Sequence, residues 1–132
     1  MLKVLRYRIY PTKSQRSKMN DTLELCRWTY NETLATRKNA YEKEGKSLSY
    51  YETKKLLPQW KKEIPELKEV HSQVLQEIVK RVDLAYQAFF RRVKEGENPG
   101  YPRFRGYGRY DSFTYTQTGF SLKLLRLCRN SR

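Results

Sequence analysis

Apolar residues recur every three or four positions between Leu75 and Val93. This spacing places them on one face of an α-helix. Ser72 precedes the stretch as a candidate N-cap, and Gly96 followed by Asn-Pro-Gly at 98–100 is a stop signal. The pattern therefore predicts an amphipathic helix from about Ser72 to Lys94. Its opposite face carries bases, namely Lys80, Arg81, Arg91, Arg92 and Lys94.

Two capping boxes predict where the earlier helices begin. Thr12 is followed by Gln15 three positions later, and Ser49 is followed by Glu52 in the same way. The helical period after Thr12 continues to a glycine at position 45. That length fits either one long helix or two helices broken near residues 25–27, which would be a helix-turn-helix. The helix after Ser49 is predicted to be short or kinked, because a proline at position 58 lies inside it.

Both ends of the chain have the pattern of β-strands. In residues 2–10, Leu5, Tyr7 and Ile9 fall on one side of the predicted strand, and Arg6 and Arg8 fall on the other. Residues 111–117 and 120–127 are rich in β-branched, aromatic and other apolar side chains. We therefore predict an α+β fold in which the C-terminal strands return to the N-terminal one. The helices would form an insertion between them.

The net charge of +14 is concentrated at the two ends of the chain. Residues 1–20 contain six Lys and Arg and no acid, and residues 91–132 contain ten bases and three acids. The middle, residues 21–90, is balanced, with twelve bases and eleven acids. If the two ends meet in the fold, they form one basic face. Such a face is typical of a protein that binds phosphates.

Aromatic side chains alternate with arginines in residues 101–115. The arginines are Arg103, Arg105 and Arg109. Guanidinium groups bind phosphates, and aromatic faces stack on unpaired bases. The alternative is a basic strand whose aromatic side chains pack in the core. We expect about half of the six aromatic side chains to do so; they are Tyr101, Phe104, Tyr107, Tyr110, Phe113 and Tyr115. The pattern indicates a nucleic-acid-binding segment without distinguishing DNA from RNA.

The sequence offers little for catalysis, metal binding or membrane insertion. It has three aspartates, one histidine, no Cys-x-x-Cys pair and no P-loop, so we expect no catalytic residues, metal or cofactor. Asp83 is expected to be a solvated helix charge, and Cys26 a small core residue. No run of 18 apolar residues occurs, and the first residues are too polar for a secretory signal. We therefore predict a cytoplasmic protein that does not bind membranes.

Six blocks of the sequence, in order, resemble the OrfB/TnpB proteins of insertion sequences. The blocks are LKVLRYRIYPTKSQ, CRWTYNETLATRKNAY, GKSLSYYETKKLLPQWKKEIPELKEV, SQVLQEIVKRVDLAYQAFFRR, GYPRFR and DSF. The resemblance covers residues 2–120. The final stretch, GFSLKLLRLCRNSR, departs from the family, whose members continue differently.

The resemblance implies a fold and a set of partners. Full-length members are RNA-guided DNA endonucleases related to the type V CRISPR effectors. Their N-terminal region is a wedge-type β-barrel with a helical recognition insertion that contacts guide RNA and target-adjacent duplex DNA. Residues 1–11 and 100–132 would then form an incomplete barrel, and residues 12–99 the helical insertion. Cleavage belongs to a later RuvC-like domain, so we expect a non-catalytic chain truncated before it.

The resemblance also implies roles for individual residues. Gln is suited to paired contacts with adenine, although plain helix surface is the alternative for the glutamines here. Residues expected to face the adjacent-motif DNA are Tyr50, Ser72, Gln73, Gln76 and Thr118. Arg103, Arg105 and Arg109 would contact phosphates of the guide or the heteroduplex. The other arginines expected to bind nucleic acid are Arg6, Arg8, Arg91 and Arg92.

Two other functions remain open from the sequence. The chain could be a stand-alone, helix-turn-helix-like regulator that binds the DNA of its parent insertion sequence. It could also be a decayed product whose basic surface binds nothing.

Overall fold

The structure, a computed structural model, describes residues 2–116 and is helical. Its elements are α1 (Lys13–Glu44), α2 (Tyr50–Lys54), α3 (Leu57–Glu63), a 3₁₀-helix (Pro65–Glu69) and α4 (Ser72–Lys94). Within residues 2–116 there is no β-strand. The long amphipathic helix predicted from Ser72 to Lys94 is confirmed as α4.

Helix α1 is a single continuous helix of 32 residues. It begins at the predicted capping box, in which the Thr12 N–H donates to Gln15 Oε1 at 2.9 Å and the Gln15 N–H donates to Thr12 Oγ1 at 3.2 Å. It ends at Gly45, whose φ of 64° is left-handed and favours glycine. The break near residues 25–27, and the helix-turn-helix it would have made, are not formed.

The core lies between α1 and α4, and α3 and the 3₁₀-helix close one end of it. From α4, Val74, Leu75, Ile78, Val79 and Val82 are completely buried. They meet a stripe of α1 side chains, Cys26, Tyr30 and Leu34, together with Leu57, Trp60 and Leu67 from the shorter helices. The predicted core position of Cys26 is confirmed. Toward the end of α4 the predicted apolar face stays open, because Val93 is about half exposed, as is Phe90 three positions earlier.

The N-cap of α4 differs by one residue from the prediction. His71 is the N-cap, and its Nδ1 accepts a hydrogen bond from the Gln73 N–H at 3.3 Å. Ser72 is the first helical residue instead of the cap. An imidazole nitrogen can accept a hydrogen bond from a backbone N–H that has no partner within the helix, as a hydroxyl oxygen does.

The predicted α+β fold with an incomplete barrel is wrong for residues 2–116. Residues 2–10 form no strand, and Leu2, Val4 and Leu5 are largely exposed. A strand needs a partner for its backbone N–H and C=O groups. Residues 111–116 provide none, because α1 and α4 side chains hold the segment that contains them. The predicted strand at 120–127 lies outside the described residues, and the division at residues 12 and 100 stays a prediction.

A buried ion pair joins α1 to α4. Arg37 Nη1 lies 3.0 Å from Asp83 Oδ1, and both residues are buried. Gln87 Nε2 donates to the other carboxylate oxygen at 2.6 Å, and the Arg37 guanidinium lies 4.4 Å from the centre of the Tyr86 ring. The expectation that Asp83 is a solvated charge is therefore wrong. Its partner is 46 positions earlier in the sequence, too far for a local pattern to indicate.

None of the helices in the part of the chain that the structure describes has the length and apolar character needed to cross a membrane.

Candidate nucleic-acid interface

The segment after α4 turns back across α1, where Asn31 holds its backbone. The Arg105 N–H donates to Asn31 Oδ1 at 2.8 Å, and Asn31 Nδ2 donates to the Arg105 carbonyl oxygen at 2.9 Å. Arg27 Nη1 donates to the same carbonyl at 3.1 Å. These bonds use the backbone of Arg105, so its exposed side chain remains available for other contacts.

A second anchor for this segment is Arg81 of α4. Its Nη1 donates to Tyr110 Oη at 2.9 Å and to the Ser112 carbonyl oxygen at 3.0 Å, and its Nη2 donates to Thr114 Oγ1 at 3.1 Å. Glu77, one turn earlier, holds the guanidinium through an Nε–Oε2 distance of 2.8 Å. Arg81 was predicted to lie on the open basic face of the helix. It is instead half-buried and fixes the path of residues 110–114.

Burial also raises the pKa of two acidic groups in this region. The Tyr110 hydroxyl has its pKa raised to about 12, chiefly by burial, with the nearby Arg81 charge acting in the opposite direction. Burial likewise raises the pKa of the Cys26 thiol to about 12. A thiol with so high a pKa holds little thiolate at neutral pH, so Cys26 is a structural side chain.

These raised pKa values predict a loss of stability in alkaline solution. The unfolded chain loses the Tyr110 proton near pH 10, whereas the folded chain keeps it to about pH 12. The stabilisation is therefore complete below pH 10 and is lost as the pH rises to 12, by roughly 2 kcal/mol from this residue. Thermal melts followed by circular dichroism across this range would show it. Tyr110→Phe should flatten the dependence, and a midpoint unchanged between pH 10 and pH 12 would contradict it.

Four of the predicted nucleic-acid-binding arginines line one cavity of about 440 Å³. They are Arg92 of α4 and Arg103, Arg105 and Arg109 of the returning segment. We name this cavity the arginine groove. Among the residues of 2–116 that line it there is no aspartate or glutamate. Tyr30 lies on its floor, with the Arg105 guanidinium 5.6 Å from the ring centre.

The charge extends into a neighbouring cavity of about 400 Å³. Arg105 and Arg109 line both cavities, and the second adds Arg81 and Asp111. The guanidinium groups of the two cavities outnumber the carboxylates beside them, which are Asp111 and the Glu77 paired with Arg81, so the surface is positive. Because guanidinium groups are planar and can bind phosphate oxygens in pairs, this surface has the chemistry of a phosphate-binding site.

The remaining predicted contacts occupy other parts of the surface. Arg91 is exposed on α4, and Arg6 and Arg8 are exposed on the N-terminal segment. Residues 9–11 line a cavity together with Phe113 and Tyr115, so the two ends of the described chain adjoin there. Thr118 lies outside the described residues.

The residues expected to face the adjacent-motif DNA lie on α2 and the first turns of α4. Ser72, Gln73 and Gln76 belong to α4, and Tyr50 is the first residue of α2. Lys80 Nζ lies 5.1 Å from the centre of the Tyr50 ring, which brings the two helices together at this point.

The aromatic side chains of residues 101–115 divide between core and surface. Tyr110 is buried and Phe113 is half-buried against the core. Phe104 and Tyr107 are exposed, by 51% and 84%, and Phe104 lines the arginine groove. Exposed aromatic faces beside arginines are the arrangement that stacks on bases in single-stranded nucleic acid.

Sequence reasoning missed the side chains that build this surface, which are Arg27, Asn31 and the anchoring role of Arg81. The first two are unremarkable polar residues of a long helix. Their partners lie 78 and 74 positions later in the sequence. A family of aligned sequences in which these pairs varied together could have revealed them.

Among residues 2–116, no three His, Cys, Asp or Glu side chains converge in a way that could hold a metal ion.

Comparison with known proteins finds one matching family for the first part of the chain. Residues 1–46 match a family described as a helix-turn-helix domain, HTH_OrfB_IS605. In this structure the described part of the match, residues 2–46, consists of an irregular N-terminal segment, the whole of α1 and the two residues that follow it, Gly45 and Lys46.

Two curated relatives are similar over most of the chain. A protein of Streptomyces pristinaespiralis, provisionally named an RNA-guided DNA endonuclease, is 30% identical over 122 residues, which are 90% of this chain and 29% of the relative. Escherichia coli (strain K12) InsQ, with the same provisional name, is 30% identical over 118 residues, which are 88% of this chain and 28% of the relative. The chain thus spans less than a third of the length of these relatives. Together with the match at residues 1–46, they confirm that the chain resembles the OrfB/TnpB family.

Proposed function

We propose that this chain binds nucleic acid through phosphate contacts in the arginine groove. The observation that carries the proposal is the convergence of Arg92, Arg103, Arg105 and Arg109 on one cavity that no carboxylate lines among residues 2–116. Like charges gathered in this way repel one another in the free protein. A phosphodiester backbone relieves that repulsion and releases its own counterions on binding.

We propose that the bound partners are those of the family, a target-adjacent DNA duplex and a guide RNA. The names of the two relatives, RNA-guided DNA endonucleases, support this assignment. Tyr50, Ser72, Gln73 and Gln76 would read the DNA beside the target, because glutamine can bond an adenine edge in pairs. Their positions on α2 and the start of α4, where Lys80 could contact a nearby phosphate, are compatible with that role. The proposal assigns binding, and not cleavage, to this chain.

The salt dependence of binding tests the proposal. Affinity for a short DNA duplex and for a structured RNA would be measured by fluorescence anisotropy at several salt concentrations. If the four groove arginines each neutralise one phosphate, a fourfold rise in salt should weaken binding about 100-fold. An affinity that is the same at low and high salt would rule out the phosphate mechanism.

A second candidate function is regulation of the parent insertion sequence by DNA binding alone. The match of residues 1–46 to a helix-turn-helix family favours it. This function requires sequence-selective binding to the ends of the element without RNA. Competition between an element-end duplex and a scrambled duplex of the same length, without RNA, tests this candidate. A preference for the element-end duplex supports it, and equal competition by the two duplexes overturns it.

A further inference from the structure

Another cavity, lined mainly by aromatic rings and distinct from those described above, adjoins the arginine groove. Phe89 lines both this cavity and the arginine groove. Tyr101 lines this cavity, and its chain neighbours Gly100 and Pro102 line the groove. We name it the aromatic pocket. Its volume is about 190 Å³, and its aromatic side chains are Tyr41, Tyr86, Phe89, Phe90 and Tyr101.

The rings of the pocket pack against one another, and those on its outer side remain exposed. Tyr101 meets Phe89 edge to face at 5.1 Å and Tyr86 at 5.6 Å, and the Tyr86 and Tyr101 hydroxyl groups are hydrogen-bonded at 2.9 Å. On the outer side, Tyr41 is 61% exposed and Phe90 is 48% exposed. Aromatic surface is costly to leave in water. A ring-shaped ligand inserted between these side chains would cover it.

The charges beside the pocket exclude one class of ligand. Aromatic cages often bind cations. Here the Arg37 guanidinium already lies 4.4 Å from the centre of the Tyr86 ring, and Lys38 Nζ lies 5.9 Å from that of Tyr101. A further cation would find these two ring faces already occupied, whereas a neutral ring attached to an anionic chain would be attracted by Lys38 and by the nearby arginine groove.

The size and the position of the pocket indicate which neutral ring it can bind. A protein cavity of roughly 150 Å³ holds benzene, so this pocket can hold a single planar ring system. The arginine groove beside it provides for the phosphates. We propose that the aromatic pocket accepts one unpaired nucleobase of a single strand whose phosphates lie in the arginine groove. This inference rests on the proposed function.

The test uses two short DNA strands that differ by one base. One is abasic at every position, and the other carries a single central 2-aminopurine, whose fluorescence is quenched when it stacks. Wild-type protein should bind the strand with the base about tenfold more tightly, with quenching, since stacking on one aromatic site contributes about that factor. Tyr41→Ala and Phe90→Ala, which remove exposed rings, should abolish the difference. Tyr51→Ala, which removes an aromatic side chain that does not line the pocket, should retain it.

The outcomes separate the two proposals. Equal affinity of the wild-type protein for both strands, or a preference that survives both pocket substitutions, overturns the pocket inference and leaves the phosphate groove standing. Failure to bind even the abasic strand at low salt overturns the proposed function, and the pocket inference with it. Tighter binding of the base-carrying strand that only the pocket variants lose establishes the inference.

Discussion

Replacing Arg103, Arg105 and Arg109 together by glutamine is expected to weaken binding to a DNA duplex about 1,000-fold at roughly 50 mM salt. These side chains provide three of the four guanidinium groups of the arginine groove. The change should also flatten the salt dependence. The slope of log affinity against log salt should fall in magnitude from about 3.6 to about 1, because each phosphate contact contributes about 0.9. Fluorescence anisotropy across a salt series measures both quantities.

The variant should remain folded, which makes the result interpretable. Arg105 is anchored by its backbone N–H and C=O to Asn31 and Arg27, and these bonds do not involve its side chain. Circular dichroism should therefore match that of the wild type.

A matched control separates the groove from net charge. Lys43, Lys62 and Lys68 are exposed and do not line the arginine groove, and changing all three to glutamine removes the same three charges. This control should lose only a few-fold in affinity. If both triple variants weaken binding equally, general charge attraction, and not the groove, accounts for the interaction.

The helices could be predicted because their signals are local. The capping boxes at Thr12 and Ser49 are formed as the sequence indicated, and the apolar spacing from Leu75 to Val82 marks the buried face of α4. Each of these signals involves residues within about four positions of one another. Their causes act over the same distance: unpaired backbone N–H groups at the start of a helix, and the repeat of about 3.6 residues that forms its apolar face.

The strands were predicted wrongly because alternating polarity is only one requirement of a β-strand, and the other is a neighbouring strand for its backbone hydrogen bonds. Residues 2–10 alternate in polarity, yet no other segment of residues 2–116 offers them a row of backbone donors and acceptors. For residues 110–114, the guanidinium of Arg81 supplies hydrogen bonds in place of a neighbouring strand. A sequence pattern cannot reveal this competition between a side chain and a neighbouring strand, since it depends on which groups lie close to the backbone in the folded chain.

The candidate site was predictable in chemistry and not in geometry. The arginines of residues 103–109 stood out by type and spacing, whereas their grouping with Arg92 depends on the path of the chain after α4. That path is set by Asn31 and Arg81, which carry no distinguishing local signal. The aromatic pocket was likewise invisible, because it combines residues of α1, α4 and the returning segment.

Breaking the buried ion pair between Arg37 and Asp83 is expected to destabilise the fold more than any single surface change. Asp83→Asn keeps the size of the side chain and leaves the Arg37 guanidinium, which is only 7% exposed, without its counter-charge. Removing one partner of a buried pair typically costs about 3–5 kcal/mol of unfolding free energy. Urea denaturation followed by circular dichroism measures the loss. Glu42→Gln, the same chemical change at an exposed position of α1, should alter stability by less than about 0.5 kcal/mol.

The double variant Arg37→Met with Asp83→Leu decides whether the loss comes from an unpaired charge. Replacing both partners of a buried ion pair by apolar side chains of similar volume is often neutral, because neither charge then has to be desolvated. The double variant should therefore be more stable than Asp83→Asn, although it has lost the same ion pair. If it is less stable than Asp83→Asn, the pair contributes mainly through packing against Tyr86 and its hydrogen bond from Gln87. A wild-type stability in Asp83→Asn would show that the pair does not hold α1 to α4 at all.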